Sequence, residues 1–167
     1  MTQMESTGYR IRIATVADAT VIAHHRSAMF LDMGLLKQGD VAALSAATRA
    51  YLTTAMPSAE YRGWLVERES EVVAGGGVLV LPTLPRPECL AGGEEAYILN
   101  VYTEPAHRRR GLARALMEAI LRWCGERGIT RIALHASDEG RPLYESLGFT
   151  TTNEMRRAED IGADRRA

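Results

Sequence analysis

Residues 107–116 read HRRRGLARAL, three arginines running into a glycine and then into an apolar helical pattern. The first turn of a helix already carries about half a positive charge, so each cation placed there costs roughly 0.3–1 kcal/mol. Stacking Arg108, Arg109 and Arg110 at such a point makes sense if an anion is to be met. The free N–H groups of a helix start aim at a bound anion, and the dipole adds to the attraction. Gly111 lets the backbone approach such a group without a Cβ in the way. Ala113 keeps the helix surface low on the same side, and the arginines offer charge-assisted hydrogen bonds. This is the logic of a nucleotide phosphate loop, yet neither GxGxxG nor GxxxxGK[ST] occurs, so a different phosphorylated ligand is implied.

Other reactive residue types are less suggestive. His135, Ser137 and Asp138 crowd one strand end, and no G-x-S-x-G elbow accompanies them, so no hydrolase triad is read. His135 is expected to be structural. His24 and His25 lie on one helix, with one expected to face solvent and the other the cleft or core. No HxxxH or HExxH spacing exists, and no metal is expected. Cys89 falls in a proline-rich loop and Cys124 on an apolar helix face, without a CxxC pair, which argues against a disulfide and for a reducing cytoplasm. The chain has 167 residues and a net charge of −1, which disfavours a dedicated nucleic-acid-binding protein. No run approaches the ~18 apolar residues of a membrane span, and the first residues lack a signal peptide's apolar core.

The elements that must hold these residues follow from periodicity and punctuation. Residues 9–14 alternate Tyr9, Ile11 and Ile13 against Arg10 and Arg12, a half-buried strand. Thr15 with Asp18 reads as a capping box for a helix over 16–33, stopped by Gly34. A second helix spans 40–55. GWLVERE and EVVAGGGVLVL form a hairpin about Glu69 and Ser70, with Gly75–Gly77 marking a bulge or a close backbone approach. Residues 82–95 read as a long loop, 96–103 as a central strand, 110–127 as an amphipathic helix capped by Gly128, and 130–136 as a strand. A short helix over 141–147 ends at Gly148, 149–157 make a last strand, and 158–167 form a frayed tail. Trp64 and Trp123 are expected in the core. The order is β-α-α-β-β-β-α-β-α-β in one mixed α/β domain over 1–157, with a parallel βαβ unit around the arginine loop.

Arg108 to Ala113 match the [QR]-x-x-G-x-[GA] motif of the GCN5-related N-acetyltransferases, the GNAT family. ILNVYTEPAH before it resembles the family's central strand, and RPLYESLGF resembles its Y-x-x-x-G-F signature. The three pieces stand in the family's order and spacing. The resemblance implies an acyl-CoA N-acyltransferase fold (an α+β mixed sheet) whose central parallel strands splay to admit acetyl-CoA. It assigns Val101, Tyr102 and Thr103 to the pantetheine arm. The pyrophosphate falls to the backbone from Arg109 to Arg114, through Arg110, Gly111, Leu112 and Ala113, with Arg108 at the first motif position. Which arginine meets a phosphate stays open.

Tyr144 stands where many relatives keep a tyrosine near the thioester sulfur, and a phenol can protonate a departing thiolate. Ser137 takes the place of a cofactor-contacting asparagine. Asn100 replaces a strand glutamate used by some relatives as base. An alkyl amine of ordinary pKa is neutral only about one part in two to three thousand at neutral pH, so a proton acceptor is useful. Water held by Asn100, or Glu104 past the strand end, is the candidate relay. In the family the first two helices shape the acceptor site, which makes Met29, Phe30 and Met33 candidate substrate contacts and Arg26 a candidate partner for an acceptor carboxylate. The implied activity is acetyl transfer from acetyl-CoA to a primary amine of a small molecule by direct attack in a ternary complex, with no membrane or nucleic-acid partner. A homodimer is compatible with the family. The alternative is an acyl-CoA sensor without turnover.

Overall fold

A computed structural model describes residues 8–87 and 90–155. The chain divides into two compact units, Met1–His135 and Ala136–Ala167. The first holds β1 (Tyr9–Ile13), α1 (Ala19–Asp32), α2 (Val41–Ala55), β2 (Tyr61–Arg68), β3 (Glu71–Thr83), β4 (Gly93–Thr103), α3 (Leu112–Glu126) and β5 (Arg131–Leu134), and the second holds α4 (Arg141–Ser146). The five strands form one sheet in the order β1-β2-β3-β4-β5. Neighbours are antiparallel up to β4, whereas β4 and β5 run parallel. Parallel neighbours need a crossover, and α3 provides it.

Local chemistry fixes the ends of these elements. Thr15 N–H donates to Asp18 Oδ2 at 2.7 Å, as a capping box should. Arg12 donates to both Asp18 oxygens and to Glu67, tying β1, the helix start and β2 together. These bonds hold the Asp18 carboxyl down at about 2. Glu69 and Ser70 both take positive φ in the β2–β3 turn, the conformation that matches strand twist in a two-residue hairpin.

Adjacent strand residues point to opposite faces, so β2 supplies both layers of core. Tyr61 and Leu65 pack with Ile22 of α1 and with Leu52 and Ala55 of α2. Trp64 points the other way and meets Trp123 of α3 edge-on at 5.5 Å. Behind it α3 buries Leu112, Leu116, Met117, Ile120 and Cys124. Cys124 is a free thiol, and Cys89 lies outside the described residues. No helix among the described residues is long and apolar enough to cross a membrane.

Several elements differ from the expected ones. The loop over 82–95 is shorter, because β3 runs to Thr83 and β4 begins at Gly93, with Pro82 opposite Glu94. The ladder with β2 stops at Leu79, so beyond it that edge of β3 has no ladder partner among the described residues, and proline's missing N–H breaks no pairing there. On edge strand β1, Ile13 is exposed while Arg12 turns toward its carboxylates. β5 ends at Leu134, which leaves His135 exposed rather than packed as a structural histidine. No strand forms over Phe149–Met155, where Thr150–Met155 are all exposed and have no ladder partner among the described residues. Arg156, Arg157 and the polar tail 158–167 lie outside them.

Candidate active site

β4 loses its neighbour halfway along. It pairs with β5 only over Glu95–Ile98, so from Leu99 to Thr103 that edge has no strand partner among the described residues. Its other edge stays on β3, with Leu99 opposite Gly77 and Tyr102 opposite Gly75. Between these pairs Asn100 and Val101 face the single residue Gly76, and Asn100 takes φ 58°. This is a β-bulge, and asparagine enters the left-handed region more readily than most residues. A Cβ on Gly76 would lie 3.4 Å from both Val101 Cγ2 and Ile120 Cδ1, which places Val101 on the α3 face. Asn100 and Tyr102 turn toward α1.

The bulge builds a polar cluster on that face. Arg26 Nη1 donates to Asn100 Oδ1 at 2.6 Å, and the Tyr61 hydroxyl lies beside the Asn100 amide. The Arg26 guanidinium stacks over the Phe30 ring at 4.8 Å. Burial lowers the Arg26 pKa and raises that of Tyr61. Tyr61 fits only because Gly77 has no side chain: a Cβ there would lie 2.2 Å from its hydroxyl oxygen. Met29 and Met33 follow Arg26 at i+3 and i+7 on the same helix face; Met29 is half-buried and Met33 exposed. Arg26, Phe30 and Asn100 therefore meet, while Met33 stands outside the cluster. Tyr61 was not foreseen.

The arginine loop follows β4 after a 3₁₀ turn at Pro105–His107. Gly111 caps α3 in the left-handed region at φ 78°, and a Cβ there would meet nothing within 4 Å. Backbone conformation, not crowding, asks for glycine, and open space lies before the helix. The helical ladder starts with Ala115 N–H on the Gly111 carbonyl at 3.0 Å. Leu112 and Ala113 thus precede the first intrahelical bond, where a helix start leaves its donors. Leu112 anchors the turn in the core, whereas Arg109 and Arg110 are exposed.

Arg108 behaves differently from its neighbours. Its Nε donates to the Thr103 carbonyl at 2.9 Å, its Nη2 binds the Asp32 carboxylate at the end of α1, and its guanidinium lies 5.5 Å over the Tyr102 ring. Glu104, one residue past β4, sends Oε1 to within 3.0 Å of His24 Nε2 and 3.5 Å of His25 Nε2. His24 is exposed. His25 is 2% exposed, its ring 5.2 Å from Tyr102 and neither ring nitrogen hydrogen-bonded. Desolvation pulls its pKa down to about 4, so the ring is neutral at pH 7. His24 and His25 divide as expected, one exposed and one inward, whereas Asp32 has no motif to announce it.

In the second unit, Gly140 N–H donates to Ser137 Oγ at 3.1 Å. The Tyr144 ring lies 6.2 Å from that of Phe149 and over Gly140, where a Cβ would come within 2.9 Å of it. Burial raises the Tyr144 pKa, so the phenol keeps its proton at neutral pH.

A cleft of about 380 Å³ opens where β2 begins, lined by Val16, Met56, Arg62, Trp123 and Arg127 among others. It shares Tyr61 with the cluster around Asn100 but lies toward the start of β4, away from the arginine loop. No three His, Cys, Asp or Glu side chains converge as metal ligands among the described residues.

Known proteins share this fold. The profile of the acetyltransferase (GNAT) family matches residues 36–149. A GCN5-related N-acetyltransferase from Ralstonia eutropha JMP134 is 34% identical and superposes with TM-score 0.81 over 90% of this chain and 97% of its own. A structure from Clostridium acetobutylicum, described as a predicted acetyltransferase with acetyl-CoA, is 26% identical with TM-score 0.80 over 89% and 94%. Among curated proteins, the uncharacterized N-acetyltransferase YjgM of Escherichia coli (strain K12) is 35% identical over 52% of this chain and 49% of its own length. N-acetyltransferase 8 of Homo sapiens is 27% identical over 54% and 39%. The match thus spans less than half the length of these two curated relatives.

Proposed function

This chain belongs to the acetyltransferase (GNAT) family, and we propose that it transfers an acetyl group from acetyl-CoA to a primary amine of a small molecule in a ternary complex. The observation that carries this is the edge of β4 over Leu99–Thr103, which has no strand partner among the described residues and leads straight into the open helix start at Gly111. An unpaired strand edge offers amide hydrogen bonds to an extended, amide-bearing arm, and Val101 and Thr103 would supply them. The first-turn N–H groups of α3 and the exposed Arg109 and Arg110 suit a pyrophosphate. Arg108, committed to Asp32 and Thr103, holds the loop instead.

Acetyl-CoA supplies a thioester carbonyl. The amine nitrogen forms the new C–N bond as the C–S bond breaks, the amine releases a proton, and the thiolate takes one. Tyr144, protonated at neutral pH, is the proposed donor to sulfur. Asn100 accepts no proton, so the amine's proton leaves through water toward Glu104. Residues 1–157 form the working domain in this proposal, in a cytoplasmic setting that suits the free, buried Cys124.

The test is thiol release over a panel of amines, with acetyl-CoA binding followed by calorimetry. Amine-dependent release supports transfer. Tight binding without release for every amine would overturn it and favour a sensor of acyl-CoA, a reading that Asn100 in place of a strand base supports.

A further inference from the structure

Each of Arg10, Arg12, Arg108, Arg127 and Arg131 has a carboxylate within ion-pair distance. Arg26 has none among the described residues, although it is half-buried in the middle of α1. Its partners are a neutral amide, Asn100, and the face of Phe30. A guanidinium carries five N–H donors in a rigid fork, and one of them is used here. Withdrawing a charge from water without a counter-charge is costly, and a structure retains it where an anion arrives from elsewhere.

The fork is also held still. The Asn100 oxygen fixes one nitrogen, and the Phe30 ring fixes the plane. The Tyr61 hydroxyl stands beside Asn100 as a further polar group. Asn100 immediately precedes Val101, where the bare edge of β4 opens, so an anion on Arg26 would sit next to the stretch assigned to the cofactor arm. Two opposite charges then flank that stretch, Arg26 at Asn100 and the Glu104 carboxylate at its far end. Such a pair suits a molecule bearing both an ammonium and an acid. A carboxylate fits better than a phosphate, because the cluster holds one positive charge and its other members are neutral.

We infer that the acceptor amine carries a carboxylate, as an α- or ω-amino acid does, and that Arg26 binds that carboxylate through the free edge of its guanidinium. This rests on the acetyltransferase function proposed above. It makes Arg26 the residue that sets acceptor specificity, with Asn100 and Phe30 positioning it.

The experiment measures thiol release for matched pairs: glycine, L-serine, L-phenylalanine, β-alanine and γ-aminobutyrate, each against its primary carboxamide, with phosphoethanolamine against ethanolamine. Wild type is compared with Arg26→Gln and Arg26→Lys. A charged hydrogen-bonded contact predicts about a tenfold to hundredfold preference in kcat/KM for at least one acid over its amide, carried mainly by KM. In Arg26→Gln the preference should fall to within about twofold, and Arg26→Lys should restore part of it, since lysine keeps the charge but loses the fork. Unchanged acetyl-CoA affinity and melting temperature show that the variants fold. Equal rates for every acid and amide, a preference unaltered in Arg26→Gln, or selection of the phosphate alone would each overturn the inference. If no amine releases thiol, the transfer function fails, and calorimetry of N-acetylglycine against N-acetylglycinamide on the CoA-loaded protein decides the carboxylate separately. Binding of the acid alone, lost in Arg26→Gln, sustains it; equal or absent binding of the two overturns it.

Discussion

Gly111 separates two ways in which one residue can matter. Its φ of 78° penalises any side chain by roughly 1–2 kcal/mol, yet the space beyond it is open. Gly111→Ala therefore pays strain alone, whereas Gly111→Glu adds a carboxylate that competes for the helix-start donors. Calorimetry should show acetyl-CoA affinity reduced severalfold in the alanine variant and at least about tenfold further in the glutamate variant, the size of a charged hydrogen-bond contact. Equal losses in the two would mean that no anion binds there. Tyr144→Phe should lower kcat by about a hundredfold, the low end for general acid catalysis, and leave acetyl-CoA affinity within about twofold. A wild-type rate would remove Tyr144 from the chemistry. These candidates are legible in the sequence because the motif residues are neighbours in the chain. Arg108 is not: its partner Asp32 is 76 positions away, and nothing local distinguishes it from Arg109.

Strand β3 shows how an element carries a site without contributing a side chain to it. Gly77 yields its place to the Tyr61 phenol, while Gly76 meets only ordinary contacts on the other face. Gly77→Ala should cost about 1–3 kcal/mol by overpacking, read as a drop of several degrees in melting temperature at about 2–4 °C per kcal/mol for a chain of this size. Acetyl transfer should fall with it, because Tyr61 would be pushed off Asn100. Gly76→Ala should melt close to wild type, and matching losses in the two would show that glycine is needed here for backbone freedom alone. Periodicity predicts β1 to β5, the amphipathic α3 and the turn at Glu69 and Ser70, since each is written in adjacent residues, but it also predicts a last strand that does not form over Phe149–Met155. It could not locate the bulge at Asn100, nor how far β3 and β4 extend past Pro82. Those depend on which strand lies alongside.

For the molecule as a whole, the inward histidine sets a pH limit. His25 is neutral and buried, with its pKa lowered from 6.5 to about 4. The unfolded chain binds this proton more readily than the folded one between those values, so stability is full above about pH 6.5 and falls as pH drops toward 4. The loss from this one group approaches about 3 kcal/mol. Thermal melts from pH 7 to 4.5 should show a steeper decline for wild type than for His25→Leu, and parallel curves would mean that His25 is not desolvated as described. The bulge has a consequence for solubility too. An unpaired strand edge is a template on which another chain can add a strand, the usual beginning of aggregation. Along Leu99–Thr103 the extra residue at Asn100 interrupts the even spacing of backbone donors and acceptors, so a straight incoming strand finds no continuous register. The kink that turns Asn100 toward Arg26 thus also makes this edge a poor template for strand addition.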